Sequence, residues 1–310
     1  MNNIKNILES KKCFKLVCGA GNENVDEIEK LVYIYSKAGA NIFDVSANLE
    51  VLKAAKRGLQ KSGISENRYI CVSVGIKGDP HTNKAYLNKE NCKSCFKCMQ
   101  ICEKNAIENF KVDTKKCIGC SKCLSACYFN AMEMKSCPTD LNKVLPDLIN
   151  EGFDCLEFHA ISDNEQEVFD NWNTLNKLYK GFFSICIDRA LLSNKTLIAR
   201  LKNMLKIRAD YTTIIQADGS PMSGGEDDFK TTLQAVATAE LIQKENIPVY
   251  ILLSGGTNSK SKKLADLCNV DISGVAIGSF ARKIVKNYLY GNMCEDEAVK
   301  IAKNLVESIY

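Results

Sequence analysis

VYILLSGG at 249–256 and GVAIGS at 274–279 are two nearly unbroken apolar runs, each ending in glycine. Neither alternates between apolar and polar residues, so each reads as a strand covered on both faces, as in a parallel sheet. The residues between them, TNSKSKKLADLCNVDIS, have helical spacing and are long enough for a crossover helix. The pair is therefore a strand–helix–strand unit whose strands run in parallel.

Outward from this unit the pattern repeats. Further runs stand at 14–21 (FKLVCGAG), 42–47 (IFDVSA), 69–75 (YICVSVG), 155–160 (CLEFHA), 182–188 (FFSICID) and 212–219 (TTIIQADG), giving eight in all. Amphipathic segments separate them. In the last, Ala298, Ile301, Ala302, Leu305, Val306 and Ile309 share one helical face. In 227–246, Phe229, Leu233, Val236, Ala237 and Leu241 are expected to do the same. Eight strand–helix units predict an α/β fold, a (β/α)8 TIM-like barrel, with residues 1–12 forming a short helix over its lower mouth. An open doubly wound sheet uses the same alternation, but the strand count and the glycine-rich ends of the last two strands favour closure.

One segment breaks the rhythm. Residues 83–135 follow the third strand, and without them the chain is close to the ~250 residues of a bare barrel. The expected organisation is thus barrel over 1–82, an inserted module over 83–135 and barrel again over 136–310. The insertion falls in a βα loop, on the face where barrels build their active sites.

The inserted module contains CKSCFKCMQIC, with Cys92, Cys95, Cys98 and Cys102 in a C-x2-C-x2-C-x3-C run. Cys117, Cys120, Cys123 and Cys127 repeat it at an offset of 25, and Lys97/Lys122, Asn105/Asn130, Ala106/Ala131 and Glu108/Glu133 match at the same offset. This is an internal duplication. Zinc ribbons carry two C-x2-C pairs across a longer spacer, which is not this pattern. The module resembles the bacterial two-cluster ferredoxins, α+β proteins with two [4Fe–4S] clusters. There the last cysteine of each run ligates the other cluster. The resemblance implies one cluster on Cys92, Cys95, Cys98 and Cys127, and a second on Cys117, Cys120, Cys123 and Cys102. The proline usual after the fourth cysteine is replaced by Glu103 and Tyr128.

The 41 basic and 37 acidic residues of the 310-residue chain leave a net charge of only +4 without a basic stripe, which argues against a nucleic-acid partner. MNNIKNILESKK lacks an apolar signal core, and no apolar run approaches the roughly 18 residues of a membrane span. A cytoplasmic protein without a membrane partner is expected. Sixteen cysteines in a reducing compartment point to metal rather than disulfides.

On the barrel's upper face, Ser254, Gly255, Gly256, Gly278 and Ser279 end the last two strands, where many barrels bind phosphate. Arg282 would add charge. Ligands of such a site include FMN and small phosphorylated molecules; alternatively the glycines only turn the chain. The loop QADGSPMSGGEDD (216–228) is too elaborate for a minimal connection and brings Gln216 and Asp218 near the mouth. Asn22, Glu23, Asp44, Asp79, His81, His159, Asp188 and Arg189 are further polar groups at predicted strand ends. Two histidines and no hydrolytic motif leave redox chemistry as the expectation.

Taken in order, KLVCGAGNENVDEIEKLVYIYSKAGANIFDVSAN, VSVGIKGDPH, the double cysteine module, QADGSPMSGG, SGGTNSKS and GVAIGSFARK resemble the light-dependent period (LdpA) family over nearly the full length. That resemblance implies an iron–sulfur redox sensor. In phototrophs the family feeds the circadian clock, a role not carried over to this lysine-, asparagine- and isoleucine-rich chain. Two readings follow. One is electron transfer or redox sensing with a redox partner protein and a ligand- or partner-binding barrel face. The other is a barrel oxidoreductase using a flavin or phosphorylated substrate, wired through the clusters.

Overall fold

The computed structural model describes the chain except residues 1, 20, 77–81, 138, 139, 188, 190, 191 and 220–225, and of residues 2 and 3 only the backbone. Among the described residues twelve strands follow in chain order: β1 (Cys13–Val17), β2 (Ile42–Ser46), β3 (Tyr69–Gly75), β4 (Asn83–Leu87), β5 (Ile107–Glu108), β6 (Lys111–Val112), β7 (Met132–Ser136), β8 (Cys155–His159), β9 (Phe182–Ile187), β10 (Thr213–Asp218), β11 (Tyr250–Ser254) and β12 (Gly274–Ile277). Eight of them close into a parallel barrel in the order β1-β12-β11-β10-β9-β8-β3-β2. β1 completes the ring by pairing with β12 on one side and β2 on the other.

The apolar runs became strands because both faces of each are covered; β2, β8, β9, β10, β11 and β12 are buried at every position. The helices begin and end where local chemistry dictates. Asn24 caps the helix Val25–Ala38 by accepting from the Glu27 amide, and left-handed Gly39 ends it. Asn48 and Gly63 do the same for Leu49–Ser62. The helix Asn2–Glu9 lays Ile4 and Leu8 across the lower mouth, against Cys13, Ile42, Cys71, Cys155 and Ile214. Among the described residues no helix is long and apolar enough to cross a membrane.

The helix Phe229–Gln243 differs from expectation. Phe229 and Leu233 are 37% and 52% exposed, whereas Thr232, Ala235, Val236, Thr238, Ala239 and Ile242 face the barrel. The reason is close approach. A Cβ on Gly219 would stand 3.0 Å from the Ala235 amide nitrogen, so only small side chains fit between this helix and the strand ends. Of the expected face Val236 is buried and Ala237 and Leu241 are half-buried, so apolarity misplaced Phe229 and Leu233.

Between β3 and the helix Leu141–Glu151 the chain leaves the ring. β4 and β7 pair antiparallel, β5 and β6 form a short hairpin, and two four-residue helices, Lys97–Gln100 and Lys122–Ser125, lie between them. This part has its own apolar core of Ala85, Leu87, Ala106, Ile107, Ala131 and Met132 together with Cys98, Cys117 and Cys123.

Candidate functional site

The duplication extends to the backbone. Ser94, Phe96 and Asn105 have positive φ, and so do their counterparts Gly119, Ser121 and Asn130. In each half a left-handed residue, Phe96 or Ser121, turns the chain into a four-residue helix beginning at Lys97 or Lys122. Each half also ends alike. The Ala106 amide donates to Cys102 Sγ and the Ala131 amide to Cys127 Sγ, both at 3.3 Å. The Ala85 amide donates to Cys117 Sγ at 3.3 Å. Such donors stabilise a thiolate and tune the potential of a cluster bound to it.

Four of the eight cysteines share a cavity. Cys92, Cys95, Cys98 and Cys127 line one cavity with Leu87, Phe96, Phe110, Phe129, Ala131 and Met132. Burial raises the Cys98 thiol, and the nearby thiols of Cys92 and Cys127 push the same way. Burial likewise pushes Cys123 up to about 11, with Cys117, Cys120 and Cys102 adding to it. Burial acts to raise Cys127 too, but the amides of Ala131, Phe129 and Met132 outweigh it and hold the thiol below its ordinary value. Cys127 thus joins three cysteines of the opposite half in one cavity, and Cys102 is near enough to Cys123 for its charge to act there. Among the described residues no three histidine, cysteine or acidic side chains converge as a single metal ion would require. Cys92, Cys95, Cys98 and Cys127 border a cavity instead, which fits a cluster better than zinc, whose four sulfurs must lie ~2.3 Å from one atom.

The module is seated on the barrel's upper face. Lys84 Nζ donates to the carbonyls of Gly21 (2.6 Å) and Cys117 (2.7 Å), and the Glu23 amide donates to the Lys115 carbonyl at 3.0 Å. Lys104 Nζ meets Glu27 Oε1 at 2.6 Å, and Glu27 also accepts from Asn22 Nδ2 (3.0 Å) and the Tyr290 hydroxyl. Ile118, between Cys117 and Cys120, reaches the barrel mouth.

The mouth is a polar cavity. Ser254, Gly255, Gly256, Gly278 and Ser279 all line it, with Thr257, Arg282 from the short helix Ser279–Ile284, and Gly19 and Gly21 from the segment after β1. From the strands come Asp44, Glu157, His159, Cys186, Gln216 and Asp218. Beneath them Lys15 Nζ is buried among Asp44 (3.0 Å), Glu157 and Gln216 Oε1 (2.8 Å). Ser184 Oγ donates to Glu157 at 2.7 Å, Ser73 Oγ donates to Asp44, and His159 Nε2 lies 3.2 Å from Glu157 Oε1. Burial raises Asp44 to about 6, the Glu157 charge adding to it. Burial pushes Glu157 the same way, but Lys15 and His159 outweigh it and hold Glu157 well below the carboxylate range. Despite burial, which disfavours its charge, Lys15 is held well above its ordinary value by these acids.

Asp218 accepts from Cys186 Sγ through Oδ2 at 2.7 Å, while its buried Oδ1 has no partner among the described residues. Ser254 stands close enough to bias the carboxyl's titration without making a hydrogen bond to Oδ1. Gly255 must be glycine. Its φ is +63°, and an added Cβ would stand 2.7 Å from the Gly219 nitrogen and 3.3 Å from Asp218 Oδ1.

Of the other polar groups expected near strand ends, Asn22 supports Glu27, and Asp79, His81 and Asp188 lie outside the described residues, as do 220–225 of the 216–228 loop. Sequence reasoning missed Lys15, Glu157 and Cys186. For the two charged residues the available signal was their place at the centre of largely apolar strand runs, CFKLV and CLEFH.

The model of the light dependent period A C-terminal domain matches residues 148–308, and that of a 4Fe-4S binding domain matches 110–133, the second cysteine run. The chain is 29% identical over 289 residues to Light dependent period A of Synechococcus elongatus, covering 89% of this chain and 81% of that protein. Its fold is similar to tryptophan synthase subunit alpha of Legionella pneumophila (TM-score 0.51, 12% identity, 100% of this chain and 98% of the other). It is also similar to the octameric ribulose-1,5-bisphosphate carboxylase/oxygenase of Pyrococcus horikoshii (TM-score 0.51, 10% identity, 99% of this chain and 60% of the other). At such identities these two likenesses concern the barrel alone. With the C-terminal model spanning just over half of the chain and a 4Fe-4S match in the inserted module, the chain belongs to the Light dependent period A family.

Proposed function

We propose that this is a two-cluster iron–sulfur protein of electron transfer or redox sensing, with a barrel mouth that takes a small phosphate-bearing ligand and a redox partner protein as its electron source or sink. Cys92, Cys95, Cys98 and Cys127 would hold one [4Fe–4S] cluster, and Cys117, Cys120, Cys123 and Cys102 the other. When bound, the clusters supply one-electron chemistry at the barrel's upper face. The observation carrying this reading is the cavity that three cysteines of the first run share with Cys127 of the second. Around it stand the apolar side chains of Leu87, Phe110 and Met132, and the Ala131 amide is aimed at Cys127 sulfur. Ser254, Gly255, Gly256, Gly278 and Ser279 would offer backbone amides and hydroxyls to an anion, with Arg282 beside them.

Ile118 favours a second reading, an oxidoreductase with a flavin or phosphorylated substrate at the mouth, because it brings the second cysteine set to the cavity that holds His159, Cys186 and Asp218. Iron, sulfide and flavin counts on the anaerobically purified chain test both. Cys95→Ser and Cys120→Ser should each remove one cluster's iron; unchanged iron in both would refute the ligand sets. Stoichiometric released flavin would favour the oxidoreductase, and its absence the carrier or sensor.

A further inference from the structure

The mouth cavity has two electrical ends. Its strands contribute three carboxylates, Asp44, Glu157 and Asp218, against Lys15 and a histidine already turned to Glu157. Its rim contributes glycine amides and, from the short helix Ser279–Ile284, Arg282, the one charged side chain among the described rim residues that line it. A ligand that satisfied only the loops would leave the acidic end short of positive charge.

One atom makes this shortage specific. Asp218 is 5% exposed, and its Oδ2 accepts the Cys186 thiol at 2.7 Å, yet Oδ1 has no donor among the described residues. Leaving a buried carboxylate oxygen unmatched costs about 1–3 kcal/mol, more when it is charged, so such atoms are rare unless something else completes them. Oδ1 is buried beside Gly255, 3.3 Å from where a Cβ there would lie, in a residue that lines the cavity.

We propose that the barrel mouth binds a small zwitterion, its ammonium group donating to Asp218 Oδ1 and its anionic group held by the loops of Gly255, Gly256, Gly278 and Ser279 with Arg282. This rests on the anion-binding part of the function proposed above and names what the other end of the ligand carries. The ammonium supplies the missing donor and offsets the carboxylate excess in one step. Burial raises Asp218, and the cation would draw it back down. A phosphate and a carboxylate satisfy the loops by the same chemistry, so the amine, not the anion, is the discriminating group.

Calorimetric titration of the full, cluster-loaded chain under argon tests this with four probes: inorganic phosphate, ethanolamine, O-phosphoethanolamine and β-alanine. At least one zwitterion should bind about tenfold or more tighter than phosphate or ethanolamine, the gain of one charge-assisted hydrogen bond. Asp218→Asn should abolish that advantage while leaving phosphate affinity unchanged, and Arg282→Gln should weaken phosphate and zwitterion together. Binding of phosphate with no gain for either zwitterion, or an advantage that survives Asp218→Asn, overturns the zwitterion while sparing the anion site. Binding of β-alanine without phosphate keeps the zwitterion and overturns the phosphate reading; no binding of any probe overturns both. Should Asp218→Asn lose its iron or its helical signal, the wild-type ranking of the four probes decides alone.

Discussion

Lys15 is the residue on which the barrel interior turns. It is a buried cation between Asp44 and Glu157, and removing one partner of such a set leaves charge without compensation. Lys15→Met should therefore destabilise the chain by about 3–5 kcal/mol. The pH dependence follows from the signs. In the wild type Lys15 is held above its ordinary value, so its contribution is complete through neutral pH and is lost only in strong alkali. In the variant the two acids are buried without a cation, their folded values rise above the unfolded ones, and stability falls as pH rises through that window. Urea unfolding at pH 4.5 and 7.5 should show the smaller deficit at the lower pH; an equal deficit would contradict the charge account.

At the scale of elements, the strand rhythm was legible because burial on both faces writes itself as uninterrupted apolar runs. Predicted and observed strands agree to within a few residues at each end, as at 155–160 against Cys155–His159. The exposure of Phe229 and Leu233 in the helix Phe229–Gln243 was not legible, because the distance between helix and strand ends, which selects Ala235 and Ala239 over Leu233, is absent from a hydrophobic pattern. The Lys15 network was hidden for a related reason. Its members lie far apart in the chain, and only barrel closure brings β1, β2, β8 and β10 to one interior. By contrast, the glycines after β11 and β12 were visible as mouth residues, and Gly255 shows what they provide. Gly255→Ala should cost about 1–2 kcal/mol from its left-handed φ alone. The contact with Gly219 adds to this and would distort the surroundings of Asp218. Thermal unfolding with and without phosphate should show a lower midpoint and a smaller phosphate-induced rise; an unchanged midpoint would contradict the close-packed geometry.

For the whole molecule, the question is how the cysteine module is held against the barrel. The polar seam consists of Lys84 on the Gly21 and Cys117 carbonyls, the Glu23 amide on Lys115, and Lys104 on buried Glu27. Lys104→Met would leave Glu27 with Asn22 and Tyr290 as its remaining partners, at a cost of about 2–3 kcal/mol borne by the seam. Amide exchange should accelerate at Glu23 while the barrel strands keep their protection; unchanged exchange at Glu23 would mean that the seam is held elsewhere.

The central claim is that each cluster borrows its fourth sulfur from the other half of the module. Alkylation mapping of anaerobic Cys127→Ser tests it directly, because the two ligand sets release different thiols. The account expects Cys92, Cys95 and Cys98 to become reactive while Cys117, Cys120 and Cys123 stay protected with one cluster's iron retained. Release of Cys117, Cys120 and Cys123 instead would show that each run closes its own site, and would contradict it.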